Sequence, residues 1–380
     1  MKSLKAVEHR ILYKDPFAYC AHPHVVSLRE DAWVVVFNRA PRRAFLLHPP
    51  QDPHYYNVIM RSGDQGETWT EPQVAPNYDW YGVECAGLTS LSDGRLMLNQ
   101  WRFRWLPLDQ ARQQPDSSVF LFPENWAEQL RADPELSPVF PYPQDIAKRI
   151  TWARTNGGAF VHFSEDEGRT WKDSIPLDTA PYSGGYGMRG GVQLPNGELL
   201  LPLSDVPKYE KVFLMRSSDG GRTWRKPSLV ACKEGLFFEE PSLLRLPDGT
   251  LLMLLRENTT HYLYQTYSDD DGYTWRPVVQ TPLWGYPPHL LLLPDERVLC
   301  VYGYRRQPYG IRAAISRDKG RTWSEDEVLL LRDDLPNGDL GYPSSVLRSD
   351  GSIFTVYYGQ DKDGVTCIMA SCYFLNDKGL

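Results

Sequence analysis

Apolar runs alternate with short polar clusters along the whole chain, and FEEPSLLRLPDGTLLMLLRE (238–257) shows the pattern most clearly. Two apolar runs flank Pro247-Asp248-Gly249. Short runs bounded by Pro, Asp and Gly read as strands rather than helices. Proline suits the first central position of a type I turn, and glycine supplies the left-handed residue that follows. The stretch therefore predicts a β-hairpin with Leu246 opposite Thr250, and counting outward pairs Glu240 with Arg256. Paired strands lie about 5 Å apart, so a carboxylate and a guanidinium meet at the open end.

The hairpin recurs. Similar turns are centred near Glu30, Asp93, Asn196, Asp248, Asp295 and Asp350. A second repeat interleaves with them: SGDQGETW (62–69), SEDEGRTW (164–171), SSDGGRTW (217–224), SDDDGYTW (268–275) and SRDKGRTW (316–323). Each follows an apolar stretch and reads as a tight turn closing a strand pair. Its Asp accepts backbone N–H bonds, its Gly takes the strained angle and its Trp packs beneath. Six hairpins, the first five each followed by such a motif, describe six four-stranded units. The expectation is all-β: one six-bladed propeller spanning 1–380. HRILY (9–13) is placed to complete the last blade and close the ring.

Topology then sorts the polar residues. If each first strand starts on one face, the hairpin turn lies on the other, the second strand returns, and the octapeptide turns lie opposite the start. Positions eight before each turn centre surround the axis on the starting face: His22, Cys85, Met188, Glu240, Pro287 and Tyr342. Glu84, Arg189 and His289 are their neighbours, and His24 follows His22. Returning strands bring Asn38, Trp101, Ser204, Arg256, Gly303 and Tyr358, with Arg39, Arg102, Arg305 and Arg306 beside them. Acids, arginines, tyrosines and histidines converge there, as in a binding site. Two long connections reach the same face, 39–57 and an insertion at about 103–156 with a helical segment at 123–133. They read as a lid.

Composition narrows the chemistry. Aromatics form 13% of the 380 residues, with 29 Gly and 31 Pro, as expected of many turns and short strands. A net charge of −7 argues against a nucleic-acid or anionic-membrane surface. Arginine outnumbers lysine 29 to 12, which favours bidentate recognition of carboxylates or phosphates. Six scattered cysteines without a CxxC pair read as buried thiols, so neither a metal nor a cofactor is expected. MKSLKAVEHRILYKD has no apolar leader core, and no run is long enough to span a bilayer, so the chain reads as cytoplasmic, or secreted if a signal peptide has been removed.

The five octapeptides are Asp boxes, and their arrangement resembles the sialidase (neuraminidase) superfamily over nearly the whole chain. That resemblance implies a tyrosine nucleophile, a glutamate that takes its proton, an aspartate acid/base and arginines that clamp a carboxylate. EPSLLRLPDGTLLMLLR (240–256) matches the glutamate–arginine hairpin, and GYPSSVLRSDGSIFTVYY (341–358) resembles the nucleophile segment. Tyr342, Glu240 and Arg256 take those roles, with Arg305 or Arg306 as a further clamp. Asp52, with Glu84 as its rival, is the candidate acid/base. Two departures matter. The family's arginine–isoleucine–proline segment is replaced by CAHPHVVSL (20–28), putting His22 and His24 where an arginine is expected. A histidine-bearing centre also fits β-elimination on a uronate, with His or Tyr as base. The expected partner is an anionic carbohydrate, hydrolysed first, eliminated second, or bound without turnover third.

Overall fold

The computed structural model describes residues 2–3, 5–43, 52–77, 81–114, 120–132 and 145–375. Their strands form six separate sheets, each a blade. The innermost strands are Ala18–Ser27, Tyr81–Ser90, Gly184–Tyr186 with Val192–Gln193, Phe238–Arg245, Pro288–Leu292 and Gly341–Leu347. All six predicted hairpin turns form. Leu28, Leu91, Leu194, Leu246, Leu293 and Arg348 each donate to a carbonyl four residues on. Lys5–Tyr13 pairs antiparallel with Thr366–Phe374, so the N-terminal strand becomes the outermost strand of the last blade and closes the ring. Among the described residues no helix is long and apolar enough to cross a membrane.

Each Asp box is built as its sequence requires. In the third, Thr223 donates to Asp219 through its amide at 2.9 Å and its hydroxyl at 2.6 Å, while Ser217 donates at 2.8 Å. Gly221 takes φ +90° and donates to Ser217 Oγ, and Trp224 caps the Gly221 carbonyl. These bonds hold Asp166, Asp219 and Asp270 down to about 2. The boxes adjoin hairpin turns of neighbouring blades, as in the Lys319–Asp248 ion pair at 2.8 Å. They therefore lie at the opposite end of the inner strands from Glu240 and Tyr342.

One side-chain hydrogen bond stitches each blade to the next. His24 Nδ1 accepts from Leu88 N, Thr89 Oγ1 from Gly191 N, and Ser204 Oγ from Glu240 N. Ser242 Oγ accepts from Leu290 N, His289 Nδ1 from Ser345 N, and Ser344 Oγ from Val25 N. The circuit satisfies inner-strand amides that face a neighbouring blade instead of a ladder partner.

The insertion begins later than its composition suggests. The second strand of its blade runs on to Pro107 and the third starts at Trp152, so the paired strands extend beyond the propeller rim. The expected helix spans Pro123–Ala132, and Ala127 is buried in the cluster that holds Trp105 and Tyr342. Residues 44–51 of the other long connection lie outside the described residues.

Candidate functional site

A bulge at the start of the inner strand makes the site. Its register places Glu239, not Glu240, opposite Arg256, with a shift before Ser242. The same shift separates Ala21 from His24 and Gly341 from Ser344. The extra residue is His22, Glu240 or Tyr342, at φ 55°, 50° and 52°. A bulged residue escapes the up-down alternation of a strand, so its side chain can turn to the axis while its neighbour keeps facing the ladder partner. Simple counting misses this, yet it names the three bulged residues. Proline follows each one, at 23, 241 and 343, a signal in the sequence that pattern counting does not use.

The three meet on the axis. Tyr342 Oη donates to Glu240 Oε1 at 2.6 Å, and Arg256 Nη1 bonds Glu240 Oε2 at 2.9 Å and Tyr342 Oη at 3.2 Å. The His22 ring lies 4.1 Å from that of Tyr342, centroid to centroid, and its Nδ1 contacts Asn38 Nδ2 at 2.8 Å. Burial drives the Tyr342 phenol well above its ordinary pKa, with the Glu240 charge adding to the effect. Burial also raises the Glu240 carboxyl; Arg256 opposes this and Glu239 reinforces it. The resting pair is thus a neutral phenol hydrogen-bonded to a carboxylate that is readier than usual to take a proton.

Arg256 is held in place from several sides. Its Nε contacts Asn258 Oδ1 at 2.8 Å and Glu239 Oε1 at 3.3 Å, and its guanidinium lies 4.3 Å from the Tyr286 ring centre. Nη2 has no hydrogen-bond partner among the described residues. Arg305 joins from the next blade, 5.1 Å from Tyr286 and 5.9 Å from Tyr342, with Nε on the Leu340 carbonyl. Two arginines therefore flank one tyrosine ring beside the Tyr342–Glu240 pair. Sequence reasoning passed over Glu239, Asn258, Tyr286 and Asp339. Buried Asp339 accepts from Tyr19 at 2.7 Å and from Tyr358 at 3.2 Å, behind His22.

The remaining expected residues sit elsewhere. Arg306 is exposed and stacks on Trp284 at 3.6 Å. Arg189 is buried beneath the pair on the axis. It donates to the carbonyls of Pro343 at 2.8 Å and of Pro23 and Pro288 at 3.4 Å, and Pro23 and Pro343 lie just after their blades' bulges. It plugs the shaft rather than facing the pair. His24 lies further down, accepting from Leu88. Glu84 is buried opposite Trp101 in the second blade. Asp52 is buried and engaged by Arg43 and by the His54 amide at 2.8 Å. The described residues thus bring together Tyr342, Glu240, Arg256, Arg305 and His22.

The BNR repeat-like domain model matches residues 146–355. No curated protein sequence matches the chain significantly. Among solved structures, a protein of unknown function from Dyadobacter fermentans DSM 18053 superposes with a TM-score of 0.81 at 25% identity, over 98% of this chain and 100% of that one. The NanB sialidase of Streptococcus pneumoniae gives 0.66 at 12% identity, over 97% of this chain and 71% of that one. The α-L-arabinanase of Penicillium chrysogenum gives 0.63 at 13% identity, over 97% and 98%. The two glycosidases share the fold, which on its own does not select a substrate. With a family match over more than half its length and six blades carrying Asp boxes, the chain belongs to the BNR repeat-like family and is a sialidase-like propeller.

Proposed function

We propose that the protein is a retaining exo-glycosidase acting on anionic, sialic-acid-type glycans through Tyr342. The observation that carries this reading is the 2.6 Å hydrogen bond from buried Tyr342 to Glu240, with Arg256 touching both. A phenol held above its ordinary pKa is a poor nucleophile unless a base takes its proton as it attacks. Glu240 is in position to do so. A neutral phenol also spares an anionic substrate the repulsion that a standing phenolate would cause.

In the proposed reaction the substrate carboxylate approaches Arg256 Nη2 and Arg305. Tyr342 Oη attacks the anomeric carbon, the glycosidic C–O bond breaks, and the phenolic proton passes to Glu240. Water then attacks the glycosyl-tyrosine and the tyrosine oxygen leaves with the proton that Glu240 returns. The proton that water sheds goes to solvent and balances the one taken up there by the departed leaving-group anion. Asp52 has its carboxylate engaged by Arg43, so no proton transfer to the leaving group is assigned to it. An aryl leaving group needs little protonation, which makes an aryl sialoside the appropriate probe.

A second reading is favoured by one observation, the His22 ring 4.1 Å from Tyr342. A histidine–tyrosine pair beside two arginines suits abstraction of the proton α to a uronate carboxylate, followed by loss of the group at C4. Release of phenol from the aryl sialoside supports hydrolysis. Growth of unsaturated-product absorbance on uronate polysaccharides, without phenol release, would replace it with the lyase. Silence in both would leave a binding propeller.

A further inference from the structure

Below Arg189 the axial shaft widens into a second cavity of about 430 Å³, within the range of small-molecule sites. Its outer wall includes Ser27, Ser90, Gln193 and Arg245, each just before a hairpin turn, so it opens on the Asp-box face, away from Tyr342. At its inner end lie Arg189, His24 and His289.

The histidines do more than the interblade circuit requires. Four blades supply that acceptor with a hydroxyl, and two with an imidazole. An imidazole that accepts at Nδ1 carries its proton on Nε2 when neutral. Neither Nε2 has a hydrogen-bond partner among the described residues, although His24 is 5% and His289 8% exposed. Their rings lie 6.1 Å apart. Burial, with Arg189 close by, keeps both well below the ordinary histidine pKa, so both remain neutral donors at pH 7. At the mouth, Arg245 forms part of the wall. No carboxylate lines the cavity. A concave, ligand-sized space with N–H donors, an arginine at each end and no acid is suited to an anion.

We infer that this lower axial cavity is a second binding site, taking a small hydroxylated carboxylate such as a sugar acid. The carboxylate sits between His24 Nε2–H and His289 Nε2–H, and its hydroxylated body points toward Ser27, Ser90, Gln193 and Arg245. The site is independent of the chemistry proposed for the upper face. Calorimetric titration with glucuronate, using glucose as the neutral control, tests it. Glucuronate should bind and glucose should not. Arg245→Met, at the mouth, should weaken glucuronate at least fivefold while leaving any upper-face activity unchanged. Arg256→Lys should leave this binding intact. His289→Asn keeps an acceptor for the Ser345 amide and should also weaken binding. In the unmutated protein, the Nε2 nitrogen resonances of both shaft histidines should shift on titration. Absence of binding, or affinity that falls with Arg256→Lys and survives Arg245→Met, would overturn the inference.

Discussion

Glu239 and Glu240 both contact Arg256, one through Nε at 3.3 Å and the other through Nη1 at 2.9 Å, although neighbours in a regular strand point to opposite faces. The left-handed bulge at Glu240 makes this possible, turning its carboxylate to the axis while Glu239 keeps its ladder position. A non-glycine residue in that conformation costs on the order of 1 kcal/mol. It recurs at His22 and Tyr342, the other residues of the cluster. Strain stored at three equivalent positions, whose side chains meet on the axis, fits a functional site better than a packing role.

Arg256 is the first residue to alter. Lysine keeps the charge but has no planar fork, so it cannot hold Asn258, Glu240 and Tyr342 while presenting a free N–H to a substrate carboxylate. Arg256→Lys is expected to lower kcat/KM at least 100-fold and to leave the far-ultraviolet spectrum of the fold unchanged. Kinetics within a few-fold of the parent protein would make the pair structural only.

The pH profile follows from the charges around Glu240. As base, Glu240 must be ionised, so kcat/KM rises with pH through its pKa, which burial places above the ordinary glutamate value. The neighbouring Glu239 charge pushes it the same way. Glu239→Gln removes that charge while its amide can still meet Tyr186 and Asn258, so the acid limb should move to lower pH. A limb that stays in place or moves upward would exclude Glu240 as the titrating base.

The Asp boxes set the acid stability. Asp166, Asp219 and Asp270 lie near 2 in the folded chain, against about 3.9 for an unfolded aspartate. Their contribution is complete above about pH 4 and fades as pH falls toward 2. Asp219→Ala removes three hydrogen bonds and should cost about 2 kcal/mol at pH 7. Urea midpoints measured from pH 7 to pH 2.5 should show the variant converging on the parent at the acid end. A constant difference across the range would mean the carboxylate charge is not what the turn uses.

Much of this was legible in the chain. The five boxes and six hairpin turns mark a closed ring because their turn chemistry is local: a Gly at positive φ, an Asp folding back on its own amides. Glu240, Tyr342 and Arg256 follow from counting along strands that start at those turns. What escaped has a physical cause. A one-residue bulge cannot be counted from an apolar pattern, so counting pairs Glu240 instead of Glu239 with Arg256; it also names Pro287 and not Tyr286. Arg189 and His24 lie on the expected axis, but depth along it depends on how closely six strands approach one another. Their proline carbonyls and backbone amides engage both side chains below the Tyr342–Glu240 pair.

The tyrosine hydroxyl is the centre of the proposed chemistry, and turnover of an aryl sialoside by Tyr342→Phe tests it directly. The substitution removes one oxygen from a buried ring and leaves the tilted ring contacts with His22 and Tyr358 in place. Loss of activity by at least 1,000-fold is expected, with Glu240→Gln impaired in the same step. The double variant should be little worse than the worse single, because a nucleophile and its base act as one unit. Activity of Tyr342→Phe within tenfold of the parent protein, in a chain that still hydrolyses the sialoside, would contradict the account.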